Sequence, residues 1–452
     1  MFSRVLVANR GEIAVRVIRA LHELEIEAVA IYSTADKESM HVRLADRAVA
    51  VGPPPASQSY LNIPSVIAAA TTTGCEAIHP GYGFLAEHPA FVAACEDNDL
   101  VFVGPTAEVM ARMGDKVQAK AELRAVGVPL VPGSDGVVAP TEARSLASEL
   151  GYPILLKAAA GGGGKGMRIV DAETDLEGAF QTAAAEAQAS FGDGSLYVEK
   201  LVRPARHVEI QVLADGRGGV LTLGERECSI QRRHQKLIEE SPSPGLSSGT
   251  REKMEAAAER AAGEIGYRNA GTFEFLVGPD QSFYFIELNA RLQVEHPVSE
   301  LVTGIDLVRE QLRIAAGEPL VATGRAERRG HAIEIRINAE DPSRQFAPAP
   351  GRITAFRTPL GPGVRLDTFV ESGTIVPPFY DSMLGKLVVW DDARPAAISR
   401  ALRALGELSV AGIPTTRELA IQILRSEQFA SGHYSTSFLE ESGERLAGVT
   451  AE

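Results

Sequence analysis

Residues 285–296 read FIELNARLQVEH, and every second position of this stretch is polar: Glu287, Asn289, Arg291, Gln293 and Glu295. Side chains of a β-strand alternate between its two faces, so the stretch predicts a strand with one face of carboxylates, an amide and a guanidinium. Mg²⁺ is held by carboxylates together with substrate phosphates, and arginine binds planar anions through paired donors. The stretch therefore indicates a metal–phosphate site beside an anion pocket. The alternative is an exposed strand of an antiparallel sheet.

A further acid in the same part of the chain supports the metal site. Glu274 lies between Phe273 and Phe275 in the segment GTFEFLV. A carboxylate in such an apolar strand is costly unless it is paired or bound to a metal. Together with Glu287 and Asn289, Glu274 would supply hard oxygen ligands to one or two Mg²⁺ ions that bridge phosphates.

A run of glycines, GGGGKGM at residues 161–167, follows a predicted strand at Ile154–Ala158. It does not match the P-loop pattern, because Lys165 is followed by Gly166 and not by serine or threonine. A strand predicted at Arg168–Val170 makes the glycines the tip of a hairpin. The hairpin could close over a triphosphate, or it could be a plain flexible turn.

Two lysines and two polar segments are candidates for phosphate or anion binding. Lys157 lies in an apolar strand and needs an anionic partner, whereas Lys116, in MGDK, could equally be a surface helix residue. The segment HVEIQ (207–211) places His207, Glu209 and Gln211 on one strand face, and CSIQRRHQK (228–236) follows with many donors. These segments predict a cationic anion pocket; a solvated run of charges is the usual alternative.

Composition excludes several classes of protein. The 452 residues carry 45 Lys+Arg against 59 Asp+Glu, a net charge of −14, which disfavours nucleic acid and anionic membranes as partners. The three cysteines, Cys75, Cys95 and Cys228, lie far apart and predict reduced cytosolic thiols. The first residues lack a signal-peptide core, and no apolar run approaches the ~18 residues that span a bilayer. We expect a cytoplasmic protein that is soluble.

The order of predicted elements divides the chain into three domains. Strands and helices alternate through residues 1–113, which predicts a parallel sheet covered by helices. Residues 114–317 form a second region, in which about 130–203 is expected to be a mobile lid. Residues 318–330 are expected to be a linker, and residues 331–452 a third domain that mixes strands, Pro-Gly turns and helices.

The chain resembles the biotin carboxylase subunit or domain of biotin-dependent carboxylases such as acetyl-CoA (acyl-CoA) carboxylase, in the ATP-grasp superfamily. The resemblance covers essentially the whole chain and rests on ten segments: ANRGEIA (8–14), HPGYGFLAE (79–87), MGDK, GGGGKGM, HVEIQVLAD, QRRHQK, GTFEF, QVEHPV, EIRINAEDP (334–342) and PPFYDSMLGK (377–386). It implies an α/β fold, α+β in the C-terminal part, with a Rossmann-like N-terminal domain, an ATP-grasp lid and a C-terminal biotin carboxylase domain. Two departures, Ala290 where threonine is expected and QFAPAPG where FLPSPG is expected, fall on no proposed ligand.

The resemblance also implies residues for the nucleotide and its metal. Contacts with ATP are expected from Lys116, Lys157, His207, Glu199, Lys200, Val202, Gln231 and His234, with Gly162, Gly163, Gly164 and Gly166 closing over the phosphates. Mg²⁺ or Mn²⁺ is expected on Glu274, Glu287 and Asn289.

The resemblance places bicarbonate and biotin beside the metal. The bicarbonate pocket is expected to comprise Lys236, Arg291, Gln293, Val294 and Glu295. Glu295 would be the general base, Arg336 would stabilise the biotin enolate, and Tyr82 would lie near the biotin ring. The implied reaction is ATP- and bicarbonate-dependent carboxylation of biotin at N1′ through carboxyphosphate, the first half-reaction of an acyl-CoA carboxylase.

The expected partners follow from the same resemblance. The chain holds no Ala-Met-Lys-Met biotin-attachment sequence, so biotin would be carried by a biotin carboxyl carrier protein, or the chain would be a fragment of a longer carboxylase. A carboxyltransferase would select the final acceptor, and a homodimer is expected. The alternatives are another ATP-grasp ligase that forms an acylphosphate, related to carbamoyl-phosphate synthase, and a non-catalytic nucleotide-binding scaffold.

Overall fold

A computed structural model of the protein describes residues 1–159 and 166–447, without the side chains of Lys116 and of residues 443–447. The predictions for Gly162, Gly163, Gly164 and the Lys116 side chain therefore lie outside the described residues. Among the described helices, none is long and apolar enough to cross a membrane.

The first part of the chain forms a parallel sheet flanked by helices. Its five strands are ordered β3-β2-β1-β4-β5, and each neighbouring pair runs parallel. The strands alternate with helices as the sequence predicts. The elements are β1 (Arg4–Val7), α1 (Gly11–Glu23), β2 (Glu27–Ser33), α2 (Met40–Leu44), β3 (Arg47–Gly52), α3 (Ile63–Thr73), β4 (Ala77–His79), α4 (Pro89–Glu96), β5 (Val101–Phe102) and α5 (Ala107–Gly114).

A small three-stranded sheet follows, ordered β7-β6-β8. Its elements are α6 (Lys116–Ala125), α7 (Pro140–Leu150), β6 (Ile154–Ala158), β7 (Met167–Val170), α8 (Glu173–Phe191) and β8 (Leu196–Lys200). The predicted strand pair on either side of the glycines is confirmed, because β6 and β7 are antiparallel and Lys157 lies opposite Met167. Gly166 has a φ of +74°, and a Cβ there would approach the Ala158 Cβ to 2.8 Å, so the turn requires glycine. We call these strands the small sheet.

The largest sheet has nine strands and extends into the C-terminal part. The strands along its path are β13-β12-β9-β10-β11-β15-β22-β20, and β14 pairs with β10. We call it the central sheet. Its first strands and their helices are β9 (Arg206–Asp215), β10 (Val220–Arg232), β11 (Gln235–Ser241), α9 (Ser248–Glu264), β12 (Arg268–Val277), β13 (Phe283–Asn289), α10 (His296–Thr303), α11 (Leu307–Ala315) and β14 (Gly324–Arg325).

The C-terminal part completes the central sheet and covers it with helices. Its elements are β15 (His331–Asn338), β16 (Glu340–Asp341), β17 (Ala347–Pro348), β18 (Gly351–Arg352), β19 (Ala355–Arg357), β20 (Val364–Thr368), β21 (Ile375–Val376), β22 (Met383–Asp391), α12 (Arg394–Glu407), β23 (Ser409–Ala411), α13 (Arg417–Arg425), α14 (Glu427–Ser431) and α15 (Phe438–Ala447). Side chains of β15 and β22 share one buried core with α12 and α13. The central sheet is therefore a buried platform, with its side chains fixed by packing.

Three sequence predictions differ from the structure. The run of residues Val220–Gly224 predicts a strand that ends at the glycine. The observed strand continues to Arg232, because Gly224 adopts a φ of +80° within a register shift between β9 and β10 and does not end the strand. The expected linker contains the short strand β14, which pairs with β10. The alternating strand expected over residues 285–296 ends at Asn289, so Arg291, Gln293 and Glu295 lie beyond the sheet.

Candidate active site

A row of charged residues crosses four neighbouring strands of the central sheet. Glu287 on β13 lies opposite Glu274 on β12, Glu274 lies opposite Glu209 on β9, and Glu209 lies opposite Arg226 on β10. Directly opposed residues of antiparallel strands present their side chains on the same face. Three carboxylates and a guanidinium therefore follow one another across that face.

Lys236 on β11 gathers several of these groups around its ammonium. Its Nζ lies 2.6 Å from Glu209 Oε2, 3.0 Å from Glu274 Oε1 and 2.5 Å from Glu295 Oε1. It also lies 3.4 Å from Gln293 Oε1. The side chain of Lys236 is only 11% exposed. Burial alone would lower the pKa of Lys236, but the surrounding acidic groups hold it well above its usual value, so the ammonium stays charged.

Arg226, the guanidinium of this row, is fully buried and holds the neighbouring side chains in place. Its Nε donates to Glu209 at 2.5 Å, and its terminal nitrogens donate to Gln211, Ser299, Thr272 and Gln293. A guanidinium with so many partners holds them in one geometry. Gln293 Nε2 in turn donates to Glu274 Oε1 at 2.8 Å, which connects the residues after β13 to the sheet.

Glu295 lies between two cations at the end of this network. Its Oε1 accepts from Lys236, and its Oε2 lies 2.9 Å from Arg336 Nη2. Burial alone would raise the pKa of Glu295, but Lys236, Arg336 and Arg226 hold it well below its usual value. Glu295 is therefore an ionised, buried carboxylate.

Arg336 on β15 bridges two carboxylates. Besides Glu295, it contacts Glu239 on β11, to which its Nε donates at 2.7 Å. Burial raises the pKa of Glu239 to about 7, although Arg336 opposes the shift. Arg336 is thus held in place on two sides.

Arg291 lies just after β13 and faces the N-terminal sheet. Its Nε donates to Glu87 at 2.9 Å, its Nη2 to Asn289 Oδ1 at 3.1 Å, and its Nη1 to the carbonyl of Leu292 at 3.2 Å. Within the described part of the chain, no hydrogen bond joins Arg291 to Glu295.

Residues expected to bind ATP lie on the central sheet and on the small sheet. His207 Nε2 lies 3.0 Å from Glu274 Oε2, which joins it to the charged row. On the small sheet, Lys157 Nζ lies 2.5 Å from Glu199 Oε2, and Lys120 also pairs with Glu199. The anionic partner that the sequence required for Lys157 is therefore Glu199.

Four further residues that are predicted to bind ATP lie away from the charged row of the central sheet. Lys200 donates to the carbonyl of Gly151 at 2.7 Å, and Val202 follows β8 half-buried. Gln231 lies opposite Lys236 across β10 and β11. His234 occupies the turn between those strands with a φ of +67°, and burial together with the charge of the nearby His207 lowers its pKa.

Tyr82 and Val294, the remaining predicted residues, lie beside a fully buried lysine. Lys386 Nζ donates to the carbonyl of Val294 at 2.8 Å and lies 3.2 Å from Glu12 Oε1. The hydroxyl of Tyr82 also donates to Glu12. Tyr82, predicted near biotin, and Val294, predicted in the bicarbonate pocket, are therefore held by the N-terminal helix α1 and by β22.

Sequence reasoning missed several charged residues that build this site: Glu12, Glu87, Arg226, Glu239, Glu334 and Lys386. Glu334 is fully buried on β15 opposite Glu239, and both of its carboxylate oxygens lack a hydrogen-bond partner within residues 1–159 and 166–447. The usable signal was a charged residue inside an otherwise apolar strand, as in EIRIN and MLGKLVV. The same signal singles out Glu274 and Lys157.

The donor set fits a magnesium ion with phosphates. Glu274 and Glu287 are opposed on paired strands, and Asn289, opposite Thr272, lies two residues after Glu287 on the same strand. Carboxylate and amide oxygens are the ligands Mg²⁺ takes when phosphates complete its shell. Two groups of side chains have their ligand atoms within 4.8 Å of one another: His207, Glu209 and Glu274, and Glu209, Cys228 and Glu295. Burial and the charge of Glu209 raise the pKa of Cys228 well above its usual value, so this thiol is a poor ligand.

Comparisons with known proteins agree with this architecture. Residues 1–110 match the family model for the biotin carboxylase N-terminal domain, residues 115–323 the model for the ATP-binding domain of the carbamoyl-phosphate synthase L chain, and residues 334–441 the model for the biotin carboxylase C-terminal domain. Together these models define an ATP-grasp ligase.

Curated and solved relatives give the particular family. A biotin carboxylase of Nostoc sp. is 52% identical, over 97% of this chain and 99% of its own length. A pyruvate carboxylase subunit of Methanothermobacter thermautotrophicus is 51% identical, over 98% of this chain and 90% of its own length. The biotin carboxylase domain dimer of Hydrogenobacter thermophilus 2-oxoglutarate carboxylase, solved with MgADP, ADP and bicarbonate, superimposes with a TM-score of 0.94 at 46% identity and covers 100% of both chains. The chain belongs to the biotin carboxylase family.

Proposed function

We propose that this protein carboxylates the N1′ atom of carrier-bound biotin, using ATP and bicarbonate. The observation that carries the proposal is the state of Glu295, a buried carboxylate ionised between Lys236 and Arg336. A base that must deprotonate bicarbonate has to be ionised and must lie beside cations that attract the anion. The names of the relatives point to the same reaction.

The proposed first step uses the residues around Lys236. Bicarbonate would lie against Lys236, Arg291 and the segment Gln293–Glu295, where Glu295 removes its proton. The resulting dianion would attack the γ-phosphate of ATP to give carboxyphosphate and ADP. Fixed cations that face the developing charge lower the barrier of such a step without reorganisation.

The proposed second step uses Arg336. Carboxyphosphate would release CO₂ and phosphate, and the phosphate would take the N1′ proton of biotin. The guanidinium of Arg336 would then stabilise the negative charge on the ureido oxygen while N1′ attacks CO₂. Its two carboxylate partners, Glu239 and Glu295, keep Arg336 in one orientation before biotin arrives.

The proposed nucleotide site spans the gap between the sheets. Lys157, Lys116 and His207 would contact the phosphates, while Glu199, Lys200, Val202, Gln231 and His234 would surround the nucleoside. The glycines around Gly166 would close over the phosphates and exclude water, which would hydrolyse carboxyphosphate. Lys157 would exchange its pairing with Glu199 for a phosphate oxygen when ATP binds.

Glu274, Glu287 and Asn289 are proposed to hold Mg²⁺ or Mn²⁺. Such an ion, when bound, neutralises phosphate charge and orients the γ-phosphate. The protein contributes the rigid pairing of β12 and β13, which sets these ligands opposite one another.

The proposed partners are a biotin carboxyl carrier protein or domain and a carboxyltransferase. The similarity extends to relatives named for different carboxylases, so the final acceptor would be chosen by the carboxyltransferase. A homodimer is proposed because the similar Hydrogenobacter domain is a dimer. The cytoplasm is proposed as the location because all three cysteines are buried and unpaired.

The test is ADP release by purified protein with MgATP and bicarbonate, with and without free biotin. We expect turnover that requires bicarbonate, rises with biotin, and is lost in Glu295→Gln and in Arg336→Ala. Glu177→Gln, an exposed carboxylate of α8, serves as the matched control and should behave as the wild type. Turnover that ignores biotin would overturn the proposal and favour an ATP-grasp ligase with another acceptor. Turnover that also survives the loss of Glu295 would favour a nucleotide-binding scaffold.

A further inference from the structure

In the described part of the chain, the guanidinium of Arg291 has three hydrogen-bond partners, and one of them lies far away in the sequence. Two partners are local, the side chain of Asn289 and the carbonyl of Leu292. The third is Glu87, whose Oε2 lies 2.9 Å from Arg291 Nε although 204 residues separate the two. The other oxygen of Glu87 accepts from the backbone N–H of Ala290 at 2.9 Å. One carboxylate thus holds both the guanidinium and the backbone that carries it.

Glu87 lies on a firmly anchored segment. Residues 80–88 connect β4 to α4, and Asn9 Nδ2 donates to the carbonyls of Pro80 and Tyr82 at 2.6 and 2.8 Å. The ring of Phe84 stacks on Tyr60 with 5.0 Å between the centroids. Leu85 and Ala86, next to Glu87, are buried. The carboxylate therefore lies on a connection that hydrogen bonds and ring stacking hold against the N-terminal sheet.

The segment around Arg291 is held on its C-terminal side, where Gln293 donates to Glu274 and Glu295 accepts from Lys236, whereas Arg291 itself reaches the N-terminal domain through Glu87. β13 ends at Asn289 and α10 begins at His296, so Arg291 lies on a connection outside the sheet. An arginine side chain has five N–H groups, and the three hydrogen bonds that Arg291 makes with residues 1–159 and 166–447 leave two of them, one on each terminal nitrogen. Two such groups can bind a planar anion as a fork, provided that the plane of the guanidinium is fixed.

We propose that Glu87 is a positioning residue for bicarbonate: it fixes Arg291 from the N-terminal domain so that the two remaining N–H groups are oriented for the anion. The inference rests on the proposed function, because it gives Arg291 the bicarbonate role. It adds a residue that does not touch substrate and that makes bicarbonate affinity depend on how the N-terminal sheet docks against the end of β13.

Two opposing effects of Glu87 can be ranked. Its negative charge competes with bicarbonate for Arg291, so its removal would strengthen anion binding. However, the Glu87 side chain is 39% exposed, and an exposed ion pair of this kind contributes little because solvent screens it. Loss of orientation is larger, since small misplacements of a binding group cost about 10-fold or more. The net effect of removing Glu87 is therefore weaker bicarbonate binding.

The experiment measures KM for bicarbonate, KM for ATP and kcat in the biotin-stimulated reaction. Glu87→Ala should raise KM for bicarbonate about 10-fold, with KM for ATP changed less than about twofold and an unchanged melting temperature. Glu87→Gln, which keeps one hydrogen-bond acceptor, should give an intermediate value. Glu38→Ala removes an exposed carboxylate of the N-terminal domain without a partner among the described contacts, and it should match the wild type.

A double variant tests the route through Arg291. Lysine has no Nε–H group, so Arg291→Lys removes the donor that pairs with Glu87. In this background, Glu87→Ala should raise KM for bicarbonate by less than about twofold. A bicarbonate KM of Glu87→Ala at or below that of the wild type would overturn the inference. So would an equal rise in both KM values, or an undiminished effect in the double variant. Wild-type turnover without bicarbonate dependence would instead overturn the proposed function.

Discussion

The central sheet and the small sheet hold their charged residues in different ways. In the central sheet, Lys236 has three carboxylate partners and Arg226 is fully buried among five hydrogen-bond acceptors. At the small sheet, Lys157 and Lys120 both pair with the carboxylate of Glu199. The charges of the central sheet thus form a network in which each has several partners, whereas Lys157 pairs with one carboxylate among the described residues.

Because of this difference, the charges of the central sheet are fixed in place, whereas Lys157 of the small sheet can exchange its partner. A buried network in which each charge has several partners cannot rearrange without leaving a charge unpaired, which costs several kcal/mol. A lysine with one carboxylate partner can replace it with a phosphate oxygen at little cost. The central sheet is therefore suited to chemistry that needs fixed distances, and the small sheet to binding and release of a nucleotide.

The largest expected effect tests whether the network of the central sheet is catalytic. Glu295→Gln removes the ionised base but keeps the size of the side chain, so kcat for ADP release should fall about 10³-fold. The fall should appear with and without biotin, because the base acts on bicarbonate. A variant that retains more than a tenth of wild-type kcat would show that the network is structural only.

The next effect concerns stability. Lys236→Met leaves Glu209, Glu274 and Glu295 without their shared cation, so the free energy of unfolding should fall by about 3 kcal/mol. Urea unfolding followed by circular dichroism measures it. Lys253→Met on α9 is the matched control, because Lys253 is exposed, and its stability should stay within about 0.5 kcal/mol of the wild type. Equal free energies of unfolding for Lys236→Met and Lys253→Met would show that the network of the central sheet is not held together by its charges, and the contrast with the small sheet would be lost.

A smaller effect is expected from the small sheet. Lys157→Ala should raise KM for ATP about 10-fold, equivalent to about 1.4 kcal/mol, and leave the melting temperature nearly unchanged. Steady-state kinetics at saturating bicarbonate measure the change, with Lys37→Ala as an exposed control. A large loss of stability in Lys157→Ala would contradict the view that Lys157 exchanges its partner.

The smallest effect depends on pH. The pKa of Glu295 is lowered in the folded protein, so its ion pairs stabilise the fold fully above the unfolded value of about 4.5 and lose that contribution as pH falls. Between pH 6 and pH 3.8 the loss is about 1 kcal/mol for one such group.

Urea unfolding at the two pH values measures this loss. Glu295→Gln should lose about 1 kcal/mol less than the wild type between them, whereas Glu177→Gln should follow the wild type. An identical pH response of the wild type and Glu295→Gln would contradict the lowered pKa.

Local sequence patterns were sufficient where a strand is short and clearly bounded. The strand Ile154–Ala158 is predicted with its observed bounds. The sequence also predicts a helix from about Arg251 to Ile265 that Gly266 closes, and the observed helix is Ser248–Glu264. The requirement that Glu274 be paired was also correct, because a carboxylate between buried phenylalanines needs partners. These features depend on residues close together in the sequence or on the cost of burying a charge.

Features that depend on contacts between distant parts of the chain could not be predicted from the sequence. The alternation in 285–296 predicted one face of a strand, yet the polar residues after Asn289 reach the site through a turn and bonds to Lys236, Glu274 and Glu87. Arg226 and Lys386 reach it from strands whose register no local pattern encodes. Their roles depend on which strands become neighbours, and this is decided by packing over the whole chain.

The burial of Cys228 among carboxylates has a consequence for oxidative stress. Peroxides and electrophiles react with the thiolate form of cysteine, and the raised pKa of Cys228 keeps its sulfur protonated. The thiol is also fully buried, so such reagents have no access to it. The charged site therefore contains a cysteine whose thiol is protonated and shielded from such reagents.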